Sequence, residues 1–281
     1  RSATRISNPK DIQAVYQLLG SNANPFLTQL AKTRRVLFLE GKDFQLLYFF
    51  ARRLKMNNVA NRSDFAVIPV EGFNPQKVKD FSKGMEITLG VPILKSVIFD
   101  RDYRSDEEVA SITSELSGTC QFVTIHKRKE IENFLLHPGV LDKAVIIAIR
   151  KKQGLSVGNE VTIRPAAEIL NEVADTFRTN ILPLYLSARR RFIKRASPGL
   201  DDSTIDTEGL KKFEGEWETL SGKLRLIPGK EVFSMFNHIL QKEYGISITP
   251  RMVVDSFTQA EMDAELIQLI TNLNKFSEAS T

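Results

Sequence analysis

The sequence has few of the residues that disulfide frameworks and zinc sites require. It contains one cysteine and three histidines among 281 residues. A single cysteine excludes an internal disulfide. Cys120 stands in the apolar stretch CQFVTI, so we expect a buried free thiol and a reducing, cytoplasmic setting. His126, His137 and His238 lack the paired spacing of zinc ligands, and we expect structural or surface roles for them.

Long apolar runs and nucleotide-binding fingerprints are also missing. No stretch approaches the roughly 18 uninterrupted apolar residues of a membrane span, so we expect no membrane partner. The first residues, RSATRISNPK, lack the apolar core of a secretory signal and an initiator methionine, and we expect a fragment of a longer protein. No Walker motif occurs, so we expect no ATP site in this fragment.

What the sequence does contain is the composition of an ordinary globular protein. Hydrophobic residues make up 42% and charged residues 26% of the chain. The length allows one large domain or two ordinary ones. A formal net charge of +5 permits an anionic partner without specifying one, because the basic residues are spread along the chain.

Strand and helix patterns alternate between residues 34 and 140. Short runs rich in β-branched residues or Phe predict four strands, at VLFLE, DFAVIPV, KSVIFD and QFVTI. Helical periodicity between them predicts helices over Phe44–Lys55, Pro75–Gly84 and Ser105–Leu116. This alternation predicts an α/β fold with a mostly parallel sheet flanked by helices.

Acidic residues stand at the ends of two of these predicted strands. Glu40 closes the run VLFLE, with Asp43 shortly after it, and Asp100 and Asp102 follow KSVIF. Because ligands of open α/β sheets bind at the carboxyl ends of strands, these oxygens are well placed for a metal ion. Alternate residues on an extended strand point the same way, which predicts that Asp100 and Asp102 share a face. Hard oxygen ligands indicate Mg²⁺ or Mn²⁺.

The ordered set EGKD, DRD and the later IENFLL resembles a Toprim domain, the metal-binding fold of topoisomerases, primases and some nucleases. It is similar to the nuclease half of OLD-family (overcoming-lysogenization-defect) proteins, in which an ABC-type ATPase precedes the Toprim domain. The resemblance implies a Rossmannoid, Toprim-like sheet with an added helical subdomain. It also implies one or two metal ions, with Glu40, Asp100 and Asp102 as catalytic ligands and Asp43 as a further one.

The same resemblance assigns two residues outside the strand ends. Glu132 matches an acidic residue that helps to hold the metal, with Glu130 as its alternative; a plain solvated helix face is the other interpretation. Lys230, in the sequence Pro228-Gly229-Lys230 ahead of a helix, matches a lysine that completes the active site. The alternative for Lys230 is an exposed cap lysine.

Two basic clusters could contact nucleic acid. Lys127 and Arg128 follow the last predicted strand. The densest cluster lies in a later predicted helix and consists of Arg189, Arg190, Arg191, Lys194 and Arg195. The helical cluster could bind a nucleic-acid backbone or an acidic protein surface, or it could be a solubilising helix end.

These patterns predict four segments. Residues 1–33 form a joint to a preceding ATPase domain, with a helix over Pro9–Leu19. Residues 34–140 form the Toprim core, 141–220 a helical insertion, and 221–281 a helical part that returns to the core. The polar stretch Ser197–Thr207 is expected to be a disordered loop, and Trp217 is expected in the core.

The resulting hypothesis is a cytoplasmic, metal-dependent endonuclease that acts on nucleic acid, DNA more than RNA. The resemblance implies anti-phage defence, partnership with the upstream ATPase, and homo-oligomers formed through that absent part. One alternative is a regulatory Toprim module that binds nucleic acid or a partner without catalysis. The other is a topoisomerase or primase reaction, for which none of the five tyrosines stands in a recognisable context.

Overall fold

The computed structural model describes residues 24–40, 43–70, 75–156 and 160–279, with side chains from residue 28 onward. The predicted helix over Pro9–Leu19 lies outside these ranges. The chain divides into two compact units. The sheet unit comprises the described residues up to Phe99, then Ala110–Ile125 and the residues from Ile267 onward. The helical unit comprises Asp100–Val109 and His126–Leu266.

Four parallel strands form the sheet of the sheet unit, in the order β2-β1-β3-β4. Their bounds are Arg35–Glu40 (β1), Ala66–Val70 (β2), Leu94–Phe99 (β3) and Phe122–Ile125 (β4). All four strands were predicted, and the α/β class with a parallel sheet is confirmed. The centre of β1 is buried on both faces, as expected of a strand covered by helices on either side.

The helices of the sheet unit differ from prediction mainly at their ends. They are Asn24–Thr33 (α1), Phe44–Arg53 (α2), Asn57–Asn61 (α3) and Pro75–Leu89 (α4), followed by Asp106–Ser117 (α5), which begins in the helical unit. The predicted end of α4 at Gly84 is wrong. A glycine inside a helix costs stability without ending it, whereas Gly90 adopts the left-handed conformation (φ +67°) that terminates helices. Helices α1 and α3 were not predicted.

The rest of the chain is helical. Its elements are Pro138–Gln153 (α6), Ala166–Ala196 (α7), Asp202–Trp217 (α8), Leu220–Leu226 (α9), Gly229–Tyr244 (α10), Pro250–Ser256 (α11) and Ala264–Glu278 (α12), the last ending in the sheet unit. A 3₁₀ turn over Ile131–Leu135 precedes α6. None of the helices within the described ranges is long and apolar enough to cross a membrane.

Two predictions about individual residues of the helical unit have opposite outcomes. The expected loop over Ser197–Thr207 is wrong beyond Asp201, because the Asp201 side chain accepts a hydrogen bond from the Thr204 backbone and starts α8. Trp217 is buried and stacks on Phe213 with ring centroids 5.0 Å apart, which confirms its place in the core.

Cys120, in the sheet unit, is a free thiol but is half-buried and not buried as predicted. Partial burial raises the pKa of its thiol. The group is therefore protonated at neutral pH and is a poor nucleophile.

Candidate active site

The acidic residues predicted near β1 lie in the sheet unit. Glu40 is the last residue of β1, as predicted, and Asp43 immediately precedes α2. Both residues take part in interactions with other residues. That Glu40 and Asp43 bind a metal ion stays a prediction.

Asp100 and Asp102 belong to the helical unit and do not continue the strand. β3 ends at Phe99, and Asp102 adopts a left-handed backbone conformation with φ +48°. The reasoning that placed both carboxylates on one face of an extended strand is therefore wrong. Asp100 Oδ1 accepts a hydrogen bond from the backbone N–H of Ile131 at 3.2 Å.

Asp102 is surrounded by cationic groups. Its Oδ2 lies 2.9 Å from the guanidinium of Arg104, and its Oδ1 lies 3.8 Å from the amine of Lys129. The backbone N–H of Asp102 also donates to the carbonyl of Lys129 at 2.9 Å. These contacts hold the turn after β3 against the segment that follows β4.

A second pair of carboxylates lies on that following segment. Glu130 accepts a hydrogen bond from the amine of Lys129 at 2.8 Å and another from the backbone N–H of Lys230 at 2.7 Å. Burial raises the pKa of Glu132, and the nearby Glu130 acts in the same direction, while the charges of Lys230 and Lys129 oppose the rise. The two glutamates and the two lysines therefore form one electrostatic cluster.

Lys129 remains charged inside this cluster. Burial alone would lower the pKa of Lys129, but Glu130, Tyr103 and Asp102 together outweigh burial and raise it. Burial raises the pKa of Tyr103 to about 12, and the Lys129 amine lies 5.8 Å from the centre of the Tyr103 ring. The cluster thus contains a permanent ammonium group and a neutral phenol at physiological pH.

Asn133 fixes the position of this segment, and sequence analysis missed it. Its fully buried side chain accepts a hydrogen bond from the backbone N–H of Glu130 and donates to the carbonyls of Leu224 and Ile227, both at 2.8 Å. The sequence signal for Asn133 was a polar amide inside the apolar run IENFLL. A buried amide requires hydrogen-bond partners, so this position predicts a tie to another segment. Asn133 therefore ties the 3₁₀ turn to the end of α9.

Gly229 brings Lys230 to the cluster. A Cβ atom at Gly229 would lie 2.6 Å from the backbone nitrogen of Asn133 and 2.8 Å from its Oδ1. Glycine therefore allows α10 to begin directly against the 3₁₀ turn. The sequence placed Lys230 just ahead of this helix, and in the structure it is the second residue of α10. It lies beside Glu130, a residue 100 positions earlier in the chain.

Most of the predicted nucleic-acid contacts are occupied by acidic neighbours. Arg128 pairs with Asp263 at 3.0 Å and packs over Phe134, and Lys194 pairs with Asp202 at 2.7 Å. The other occupied positions are Arg190, paired with Asp206, and Arg189, which is buried. Arg191 and Arg195 are exposed, and Lys127 lines a cavity described below.

The donor set limits how a metal ion could bind. Among the residues that the structure describes, no group of three or more His, Cys, Asp or Glu side chains is placed to hold a metal. Asp102 and Glu130 already contact cationic groups or N–H donors. The site does not fit an ion held by protein ligands alone. It fits the arrangement common for Mg²⁺, in which one or two carboxylates bind the ion together with water and substrate phosphate.

The close contact at Gly229 yields a stability prediction. Gly229→Ala should lower the free energy of unfolding by about 1–3 kcal/mol, because the methyl group overlaps the backbone of Asn133. The matched control is Gly215→Ala in α8, where a Cβ meets nothing within 4 Å. The control should be stabilising by about 0.5–1 kcal/mol. Urea unfolding measures both, and equal stability of the two variants would contradict the assigned contact.

The raised pKa of Glu132 yields a prediction for pH. The pKa of the Glu132 carboxyl is higher in the folded state than in the unfolded state, so ionisation of this group lowers the free energy of unfolding. This destabilisation is present at neutral pH and is lost in acid, where the carboxyl is protonated in both states. Glu132→Gln should therefore unfold at a higher temperature than the wild type at pH 7 in EDTA. The difference should disappear as the pH falls below 4.5, the ordinary value for glutamate.

The exposed residue Glu218 provides the control for this measurement. Glu218→Gln removes one negative charge from the surface, and its effect is subtracted at each pH. A Glu132→Gln variant that is less stable than the wild type at neutral pH would show that the ionised carboxylate is favourable where it stands.

Comparisons with known proteins give a structural likeness. No protein-family model matches the chain, and no curated protein is significantly similar to it. Among solved structures, the C-terminal region of the Xanthomonas campestris pv. campestris OLD protein aligns over 88% of this chain and 96% of its own, with 13% sequence identity and a TM-score of 0.37.

Proposed function

We propose that this chain is a divalent-metal-dependent endonuclease that hydrolyses phosphodiester bonds of nucleic acid, DNA in preference to RNA. In this proposal it is the Toprim half of an OLD-like ATPase–nuclease. It acts in the cytoplasm in bacterial anti-phage defence. The upstream ATPase domain is its partner and provides the surface for any homo-oligomer.

The observation that carries the proposal is the meeting of Lys230 with Glu130 and Glu132 in the helical unit. The backbone of Lys230 bonds the carboxylate of Glu130 at 2.7 Å across 100 residues of sequence. Lys230 lies in the first turn of α10, where a lysine is unfavourable against the helix dipole unless an anion is near. In enzymes that transfer phosphoryl groups, carboxylates bind the divalent cation. A neighbouring lysine stabilises the negative charge of the transition state.

The residues have distinct proposed roles. Asp100, Asp102 and Glu132 are the proposed ligands in the helical unit, one or two of them binding each ion of Mg²⁺ or Mn²⁺ together with water and substrate phosphate. Glu40 and Asp43, in the sheet unit, remain predicted ligands. A bound ion would supply an activated water and neutralise the leaving oxygen. The ammonium of Lys230 would neutralise charge on the phosphate. Lys129 contacts both Glu130 and Asp102, and it would hold their carboxylates in place.

Cleavage assays test the proposal directly. We expect the chain to cleave plasmid or single-stranded DNA in Mg²⁺ or Mn²⁺, tRNA more slowly, and nothing in EDTA. Asp100→Asn should abolish cleavage while keeping the fold, because the asparagine oxygen can still accept the hydrogen bond from Ile131. The exposed Asp255→Asn is the control. Full activity of Asp100→Asn, or equal activity in EDTA, would contradict the proposal.

Lys230 is expected to act on the phosphate and not on the metal. Lys230→Met should lower the cleavage rate by about 10²–10³-fold, the typical cost of one lost transition-state contact. Metal affinity should stay equal or rise slightly, because a positive charge beside the ion is removed. Lys242→Met, an exposed lysine of the same helix, should cleave at the wild-type rate. A rate for Lys230→Met within twofold of wild type would assign Lys230 to the surface.

Tyr103 separates hydrolysis from a topoisomerase reaction. A topoisomerase reaction needs a tyrosine nucleophile, and Tyr103 is the tyrosine that lies beside Lys129 in the cluster. Burial raises the pKa of Tyr103 to about 12, which disfavours the phenolate. Tyr103→Phe should therefore retain cleavage. Loss of cleavage, together with a covalent protein–DNA adduct in the wild type trapped by denaturant, would favour the topoisomerase reaction instead.

A further inference from the structure

The helical unit contains a polar cavity whose wall includes Asp102, while most of its other lining residues have no role in the proposed cleavage reaction. Its volume is about 520 Å³, within the size range of small-molecule sites. The start of α5 and helices α7, α8 and α9 contribute to its walls. Six of its cationic lining residues are Arg101, Arg104, Lys127, Arg189, Lys211 and Lys212.

Arg189 is the most unusual residue of this wall. Its side chain is 8% exposed, and its nearest anionic partner, Glu208, lies 3.5 Å from Nη2. Its Nε has no hydrogen-bond partner among the described residues. A buried charge with incomplete pairing costs stability. A bound anion would complete the pairing of this guanidinium.

The packing behind Arg189 holds its side chain at the cavity. A Cβ at Gly209 in α8 would lie 3.2 Å from Cδ of Arg189 and 2.8 Å from Cδ2 of Leu186. The absence of a side chain at Gly209 thus makes the space that the Arg189 stem occupies. The guanidinium is placed by the contact between α7 and α8.

The cavity also contains acceptors and aromatic rings. Its acidic lining residues are Asp102, Asp106, Glu107 and Glu216, and its aromatic ones are Tyr103 and Tyr185. Carboxylates repel a continuous phosphate backbone, but they accept hydrogen bonds from ribose hydroxyls and base amino groups. Tyrosine rings offer surfaces on which bases stack. The mixture suits one nucleotide better than a run of phosphates.

We propose that this cavity binds the terminal nucleotide of a nucleic-acid strand, with its phosphate monoester against Arg189. The inference rests on the proposed nuclease function for the origin of that strand end. The same chemistry would accept a free nucleoside monophosphate, and the experiment separates these two sources. Lys211 and Lys212 supply further positive charge at the cavity wall.

Binding assays in EDTA test the cavity without cleavage. A short oligodeoxynucleotide is labelled internally and prepared with a 5′-phosphate, with a 3′-phosphate, or with neither, and binding is followed by fluorescence anisotropy. We expect one phosphorylated form to bind at least tenfold more tightly than the unphosphorylated form. Arg189→Met should abolish that preference, since a charge-assisted contact of this kind is worth about tenfold or more.

Further variants distinguish the loss of a ligand contact from the loss of the fold. Lys211→Met changes an exposed wall residue and should weaken the preference severalfold. Gly209→Ala, which crowds the Arg189 stem, should also weaken it. Arg178→Met, on the same helix but in an exposed pair with Glu214, should keep the full preference. Thermal unfolding of each variant identifies any that lose the fold.

The outcomes decide between the sources of the ligand. Competition by nucleoside 5′-monophosphates without any end preference would support the cavity and overturn the strand end as its ligand. Equal binding of all three oligonucleotides and no competition would overturn the inference. Because EDTA removes the metal, a chain that fails to cleave DNA could still show the end preference, so the two proposals fail separately.

Discussion

The candidate site depends on the side-chain amide of Asn133, which makes hydrogen bonds with three backbone groups, one at the start of its own 3₁₀ turn and two at the end of α9. The amide oxygen accepts a hydrogen bond from the N–H of Glu130, and the amide nitrogen donates to the carbonyls of Leu224 and Ile227. A buried amide left without one of these partners would cost about 1–3 kcal/mol. The same tie places the start of α10 against the 3₁₀ turn, and Lys230 reaches Glu130 as a consequence.

The sequence was sufficient to predict the sheet and the chemical types at its strand ends. All four strands follow from local runs of apolar and β-branched residues, because such runs are specified within a few residues. The helix that begins around Lys230 was also predicted from a local signal, the sequence Pro228-Gly229 ahead of a helical pattern. Helix ends were less predictable: Gly84 lies within α4, and Gly90 ends it by its positive φ.

The geometry of the site could not be predicted from spacing. Asp100 and Asp102 leave the strand at once, since the chain turns through a left-handed residue to meet Lys129. Sequence spacing also gave no sign that acidic residues of α8 would neutralise Arg190 and Lys194. Such pairings depend on which helices pack together, and that is a property of the tertiary fold.

The charges of the candidate site link the binding of a metal ion to the binding of nucleic acid. The carboxylates beside Lys129 are already partly neutralised, so a cation gains most when substrate oxygens complete its ligands. The central claim is therefore that metal and nucleic acid bind together. Electron paramagnetic resonance of Mn²⁺ with the Lys230→Met variant, titrated with and without single-stranded DNA, measures this coupling. We predict a Mn²⁺ affinity at least tenfold higher with DNA present; the same affinity with and without DNA, or no bound Mn²⁺ in either case, would contradict the account.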